Sequence, residues 1–158
     1  MIKISKNIKD TEEIARDFLN KILKTKNTKA LVVGLSGDLG TGKTHFTQAV
    51  AKLLKIKNKV NSPTFVIMKR YELPRPLLNP PLGRGGLGFR NLFHIDAYRL
   101  KNERELLHLG WEEIVFNKEN IIFIEWPENV AKIMPQKHHK VSISHTKEGH
   151  RKFEIKTL

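Results

Sequence analysis

The chain has 158 residues, enough for one domain with a proper core, and its 39% hydrophobic and 28% charged residues are ordinary for a globular protein. It holds no cysteine, which excludes disulfides and thiolate metal sites, and no apolar run approaches membrane-spanning length or forms a secretion-signal core, so a cytoplasmic protein with no membrane partner is expected. A formal net charge of +13 points either to an acidic partner, nucleic acid first, or to a lysine-rich composition without that meaning.

Ile2 to Ser5 reads as an edge strand. Asp10 or Thr11 is expected to cap a helix running to about Leu23, with Glu12 and Glu13 in its first turn, where the dipole favours acids. Ile14, Phe18, Leu19, Ile22 and Leu23 mark its buried face. Ala30 to Leu35 is an apolar run that reads as a buried strand. Gly37-Asp38-Leu39-Gly40-Thr41-Gly42-Lys43-Thr44 then fits G-x-x-x-x-G-K-[ST], the phosphate-binding P-loop. His45 to Leu54 has Phe46, Ala49, Val50, Leu53 and Leu54 at helical spacing. Strand, glycine loop and helix are the context the motif requires.

That loop fixes a ligand class: a nucleoside triphosphate with magnesium. Gly37, Gly40 and Gly42 let the backbone turn through positive φ, so the amides from Gly37 through Thr44, those of Leu39 and Thr41 among them, can form a nest for phosphate oxygens. The helix beginning near Lys43 aims its unpaired amides and dipole at the same anion. Lys43 is expected to reach the β- and γ-phosphates, and the Thr44 hydroxyl to ligate Mg2+. Asp38 either faces solvent or orients a water or partner group.

Phe65 to Tyr71 reads as a strand. Pro74 to Arg90 holds four of the seven prolines and four of the ten glycines without periodicity, so it reads as a basic loop, either a partner-contacting arm or a tolerated insertion. Asn91 to Ile95, followed by Asp96, is another strand. Residues 102–115 look helical with a break at Gly110. Ile121 to Ile124 is an apolar strand ending at Glu125. Pro127 opens a short helix to about Met134. Val141 to His145 and Lys152 to Lys156 flank Lys147-Glu148-Gly149 as a C-terminal hairpin. The sum is a single α/β domain over residues 1–158, a three-layer P-loop NTPase-like fold whose mixed sheet ends in an antiparallel hairpin.

A P-loop enzyme needs a carboxylate at a neighbouring strand end, and ligands of open α/β sheets sit at carboxyl ends. Glu125 and Asp96 both qualify, Glu125 for the magnesium shell and Asp96 for water or the same shell. Thr64, in Asn61-Ser62-Pro63-Thr64-Phe65, either senses the γ-phosphate or starts a strand. Arg99 either contacts phosphate or pairs with Glu103. The seven histidines form no tight ligand cluster and are taken as structural or exposed. Trp126 adjoins Glu125 and can line the site.

The P-loop, Asn61-Ser62-Pro63-Thr64-Phe65, His94-Ile95-Asp96-Ala97-Tyr98-Arg99-Leu100 and Ile124-Glu125-Trp126-Pro127-Glu128, in this order, resemble the TsaE (YjeE) family, and the likeness runs over roughly residues 10–130. The resemblance implies an ATPase of tRNA threonylcarbamoyladenosine synthesis that works with a TsaB–TsaD complex. It implies that Lys43 and Thr44 hold phosphate and Mg2+, that Glu125 completes the metal site, that Asp96 serves hydrolysis, and that Thr11 lies near the adenine. Thr64 and Trp126 match a switch-like segment and a tryptophan beside the metal acid. The Pro74–Arg90 loop is longer than the family's connection.

With no evident arginine finger, turnover is expected to be slow alone and faster with the partner complex. A small-molecule P-loop kinase and a non-catalytic, nucleotide-dependent RNA-binding switch are the alternatives. Oligomeric state, preference for ATP over GTP, and whether tRNA is met indirectly or through the basic surface stay open.

Overall fold

The computed structural model describes residues 1–25, 27–74 and 88–158. Most of the Pro74–Arg90 loop expected above therefore lies outside the described residues. Seven strands form one sheet in the order β1-β7-β6-β2-β5-β4-β3. These are β1 (Ile2–Ser5), β2 (Leu31–Ser36), β3 (Met68–Glu72), β4 (Asn91–Asp96), β5 (Asn120–Glu125), β6 (His139–His145) and β7 (Arg151–Lys156). The four central strands, β6, β2, β5 and β4, pair in parallel, while β1–β7, β6–β7 and β3–β4 pair antiparallel. The mixed sheet and the C-terminal hairpin are as the sequence indicates.

β2, β4 and β5 are buried on both faces because helices cover both, whereas β6 is buried on one face only. Ile121 and Phe123 of β5, with Val33 and Leu35 of β2, join one core with α1 (Ile8–Ile22) and α2 (Lys43–Leu53). Their neighbours Val32, Ile122 and Ile124 join a second core with α3 (Glu103–His108), α4 (Trp111–Phe116) and a 3-10 helix (Pro127–Ile133). The result is three layers. Phe18, Phe46 and Phe123 meet at the centre of the first core, with ring centroids 5.6–6.5 Å apart. Each such buried side chain contributes about 1.5–3 kcal/mol of transfer free energy.

Three boundaries differ from expectation. The first helix begins at Ile8, not after Asp10 or Thr11, because the Asn7 side chain accepts the Asp10 amide at 3.0 Å and is the cap. Asp10 is thus the acid of the first turn. β3 starts at Met68 rather than Phe65: Ile67 takes a left-handed conformation, φ 64°, and Phe65 and Val66 are exposed in the turn before it. β6 begins two residues earlier than read, at His139, which is buried against Phe18. No helix among the described residues is long and apolar enough to cross a membrane.

Candidate active site

The glycine loop lies between the carboxyl end of β2 and the start of α2. Its three glycines all have positive φ: 136° at Gly37, 78° at Gly40 and 102° at Gly42. Gly37 has no room for a side chain, since a Cβ there would sit 2.1 Å from the carbonyl oxygen of Ile143. Thr41 closes the turn by donating its hydroxyl to the Asp38 carbonyl at 2.8 Å. The Asp38 and Leu39 side chains are exposed.

Lys43, the first residue of α2, is buried at 4% exposure. Its Nζ donates to the carbonyls of Gly37 (2.6 Å) and Asp38 (2.9 Å) and stands 4.0 Å from the ring centroid of Trp126. Burial holds its pKa below the ordinary lysine value, and the charges of Glu125 and Asp96 oppose that shift without cancelling it. A desolvated ammonium held by carbonyl dipoles and an aromatic face is a cation without a full counter-ion.

The two strand-end acids meet this loop. Asp96 and Glu125 are directly opposed partners at the ends of β4 and β5, which places two residues 29 positions apart side by side. Period-two alternation sends both toward the face that α2 covers. Thr44 Oγ1 donates to Glu125 Oε1 at 2.7 Å. Asp96 accepts the Tyr98 amide on Oδ1 at 3.0 Å and the Thr64 hydroxyl on Oδ2. Both acids are nearly inaccessible, at 5% and 3%.

Trp126 follows Glu125 in a left-handed conformation, φ 59°, that costs an ordinary residue about 1–2 kcal/mol. Three contacts hold it there: its amide donates to Leu35 at 3.1 Å, its ring packs on Tyr98 at 5.0 Å, and it covers Lys43. Arg99 lies over the exposed Phe65 ring at 4.6 Å, whereas Glu103 pairs with Lys132, so the Arg99–Glu103 pairing is not formed.

A cleft of 510 Å³ opens over this set, lined by Gly40, Lys43, Thr44, Thr64, Asp96, Glu125 and Trp126 among others. A larger cavity of 940 Å³ lies at the opposite, amino end of β4 and β5, near Arg70, Arg90 and Asn120. The glycine loop and both strand-end acids line the smaller cleft and not this cavity. Thr11 is not among the residues lining that cleft. It is buried, its hydroxyl 2.7 Å from that of Ser5.

Sequence reasoning missed two residues here. His94, grouped with the structural or exposed histidines, sits with its Nε2 2.7 Å from Glu125 Oε1. Its spacing of two from Asp96 on a strand was the available signal. Arg151 opens β7 and packs against the loop, where a Cβ on Gly42 would meet its Nε at 3.1 Å. That Nε is buried without a hydrogen-bond partner among the described residues. Strand pairing with β6 and β1 places Arg151, so no local pattern announces it.

A glycine loop between a central parallel strand and its helix, with acids on adjacent strand ends, defines a fold of the P-loop NTPase type. The solved structure of Bacillus subtilis YdiB has the same fold: it aligns with a TM-score of 0.70 at 24% identity, over 98% of this chain and 83% of that one. The chain belongs to the TsaE family, whose model, described as threonylcarbamoyl adenosine biosynthesis protein TsaE, matches residues 5–153. Two curated relatives bear the name tRNA threonylcarbamoyladenosine biosynthesis protein TsaE. The Haemophilus influenzae protein is 31% identical over 77% of this chain and 67% of its own length, and the Rickettsia bellii protein 31% identical over 83% and 80%.

Proposed function

We propose that this protein binds and hydrolyses Mg-ATP in support of tRNA threonylcarbamoyladenosine formation, acting with a TsaB–TsaD type complex. The observation that carries the reading is the hydrogen bond from Thr44 to Glu125 beside the buried Lys43, which unites loop, helix and strand-end acid at one point.

The residues fit the group. A nest of loop amides at a helix start suits a polyphosphate, and the incompletely neutralised ammonium of Lys43 adds the charge for it. The hydroxyl of Thr44 and the carboxylates of Glu125 and Asp96 are hard oxygen donors of the kind Mg2+ takes, few in number because Mg2+ keeps waters and phosphate oxygens. Bound magnesium would supply neutralisation of charge on the β- and γ-phosphates.

The chain's own part follows from geometry. Lys43 exchanges its two carbonyl partners for phosphate oxygens. Glu125 holds the Thr44 hydroxyl in place and presents its remaining oxygen to the cleft. Asp96, fixed by the Tyr98 amide and Thr64, orients water and couples its carboxylate to the segment around Thr64. The exposed Phe65 and Val66 on that segment offer a partner a handle on the site, in keeping with slow turnover alone. A multiple-turnover phosphate-release assay with and without TsaB–TsaD tests this. Slow release alone and faster release with the complex is expected; equal fast rates in both would remove the partner dependence.

A further inference from the structure

Glu125 is gripped from two sides. Thr44 holds it from the helix. From the sheet, His94 on β4 opposes Phe123, which makes it the diagonal neighbour of Glu125 two residues further along β5. Its ring is fully buried, at 0% exposure. A carboxylate oxygen only accepts, so His94 Nε2 donates across the 2.7 Å contact. The other ring nitrogen, Nδ1, is buried with no hydrogen-bond partner among the described residues. A hydrogen on Nε2 and a bare Nδ1 match both observations, whereas a hydrogen on Nδ1 would be stranded. Both donors end on the same oxygen, Oε1, and no hydrogen bond from a described residue reaches Oε2.

Resting on the Mg-ATP reading above, we propose that His94 is a positioning residue for the nucleotide-bound cation. It pins Oε1 from the sheet side so that Oε2 of Glu125 faces the cleft in a fixed orientation. His94 reaches neither nucleotide nor cation and acts only through Glu125. Partners that orient a metal-site carboxylate in this way typically contribute about 10–100-fold in metal affinity or activity. A histidine that merely filled the core would be replaceable by any ring of similar size. This one has a specific donor at a specific atom, and the ring's second polar atom is left without compensation.

The test compares three variants with the unaltered protein. His94→Phe keeps the ring volume and removes the donor. His94→Gln returns an amide donor near the Nε2 position. His94→Asn places its amide near Nδ1, short of Glu125. For each, thermal melting followed by circular dichroism reports folding, and calorimetry measures ATP affinity in EDTA and in Mg2+. We expect all three to bind Mg-free ATP within about threefold of the unaltered protein, since Lys43 and the loop amides are untouched. In His94→Phe and His94→Asn the magnesium-dependent gain in affinity should fall about 10-fold or more, with phosphate release reduced alongside, and His94→Gln should recover most of both.

A normal magnesium response in a folded His94→Phe would overturn the proposal. Should His94→Phe not fold, equal responses from the Gln and Asn variants would overturn it instead. If the unaltered protein shows no magnesium-dependent ATP binding, the Mg-ATP reading itself fails. If it does and only the His94 series is flat, the positioning role alone fails.

Discussion

Thr44 and Glu125, 81 positions apart in the chain, are joined by a 2.7 Å hydrogen bond in the lining of the cleft. The bond crosses from the first turn of α2 to the end of β5. It exists because β2 and β5 are adjacent parallel strands, with Leu35 opposite Glu125 and the loop leaving β2 just beyond. A hydroxyl from the loop helix and a strand-end carboxylate thereby meet beside the buried Lys43.

Glu125→Gln should keep the fold and Mg-free ATP binding while removing most of the magnesium effect. The amide preserves shape but lacks the charge, and phosphate release should drop about 100-fold or more. Calorimetry with and without Mg2+, beside a phosphate-release assay, checks this; an unaltered magnesium response would remove Glu125 from the metal site.

Asp96→Asn should act differently. The Thr64 hydroxyl donates to Asp96, and the Asp96 amide donates to the carbonyl of Ile67 at 2.8 Å. Weakening the first of these contacts loosens the 64–67 turn, which already contains a left-handed Ile67. We expect nucleotide binding to persist, hydrolysis to fall about 100-fold, and amide hydrogen exchange to quicken at Phe65 and Val66. Unchanged exchange there would show that the turn does not depend on Asp96.

Two glycines of the loop should respond unequally. Gly37→Ala puts a Cβ 2.1 Å from the Ile143 carbonyl oxygen at a φ of 136°, so the loop must move. A loss of at least about 1–3 kcal/mol and loss of ATP binding are expected. Gly40→Ala, at φ 78° with nothing within 4 Å, meets only the left-handed penalty of about 1–2 kcal/mol. Urea melts of the two variants check the order, and a Gly40→Ala loss equal to that of Gly37→Ala would contradict it.

His139 gives a pH dependence that does not involve the nucleotide. Burial first, then the nearby His138 and Lys21, lowers its pKa from the ordinary 6.5 to about 4, and its Nδ1 accepts the Leu158 amide at 3.2 Å. Between those values the unfolded chain takes up a proton that the native state refuses. The contribution is therefore complete above pH 6.5 and lost as pH falls toward 4, on the order of 3 kcal/mol in all. His139→Asn, which keeps an acceptor for Leu158 and cannot titrate, should flatten this part of the stability curve. Urea melts at several pH values test it, and an equally steep curve in the variant would contradict the assignment.

The features legible in the sequence were local ones. The P-loop is a contiguous motif, Glu125 follows four apolar residues, and Asp96 closes a similar though less apolar run, so Lys43, Thr44, Glu125 and Asp96 could be singled out without coordinates. Their convergence could not be read directly, because it depends on which strands lie side by side. The misread boundaries share a cause. Phe65 and Val66 look like strand residues by type, yet they lie exposed on a turn fixed by Asp96 and Ile67. Asn7 caps the first helix well ahead of its apolar periodicity, which becomes clear only at Ile14. His94 and Arg151 meet partners far along the chain, and no spacing rule names such partners.

The most direct test of the central claim is a calorimetric titration of ATP into the protein with and without Mg2+, repeated with Lys43→Ala. The account predicts one site per chain, tighter binding with Mg2+, and loss of binding in Lys43→Ala. Binding that ignores both magnesium and Lys43, or no binding in the unaltered protein, would contradict it.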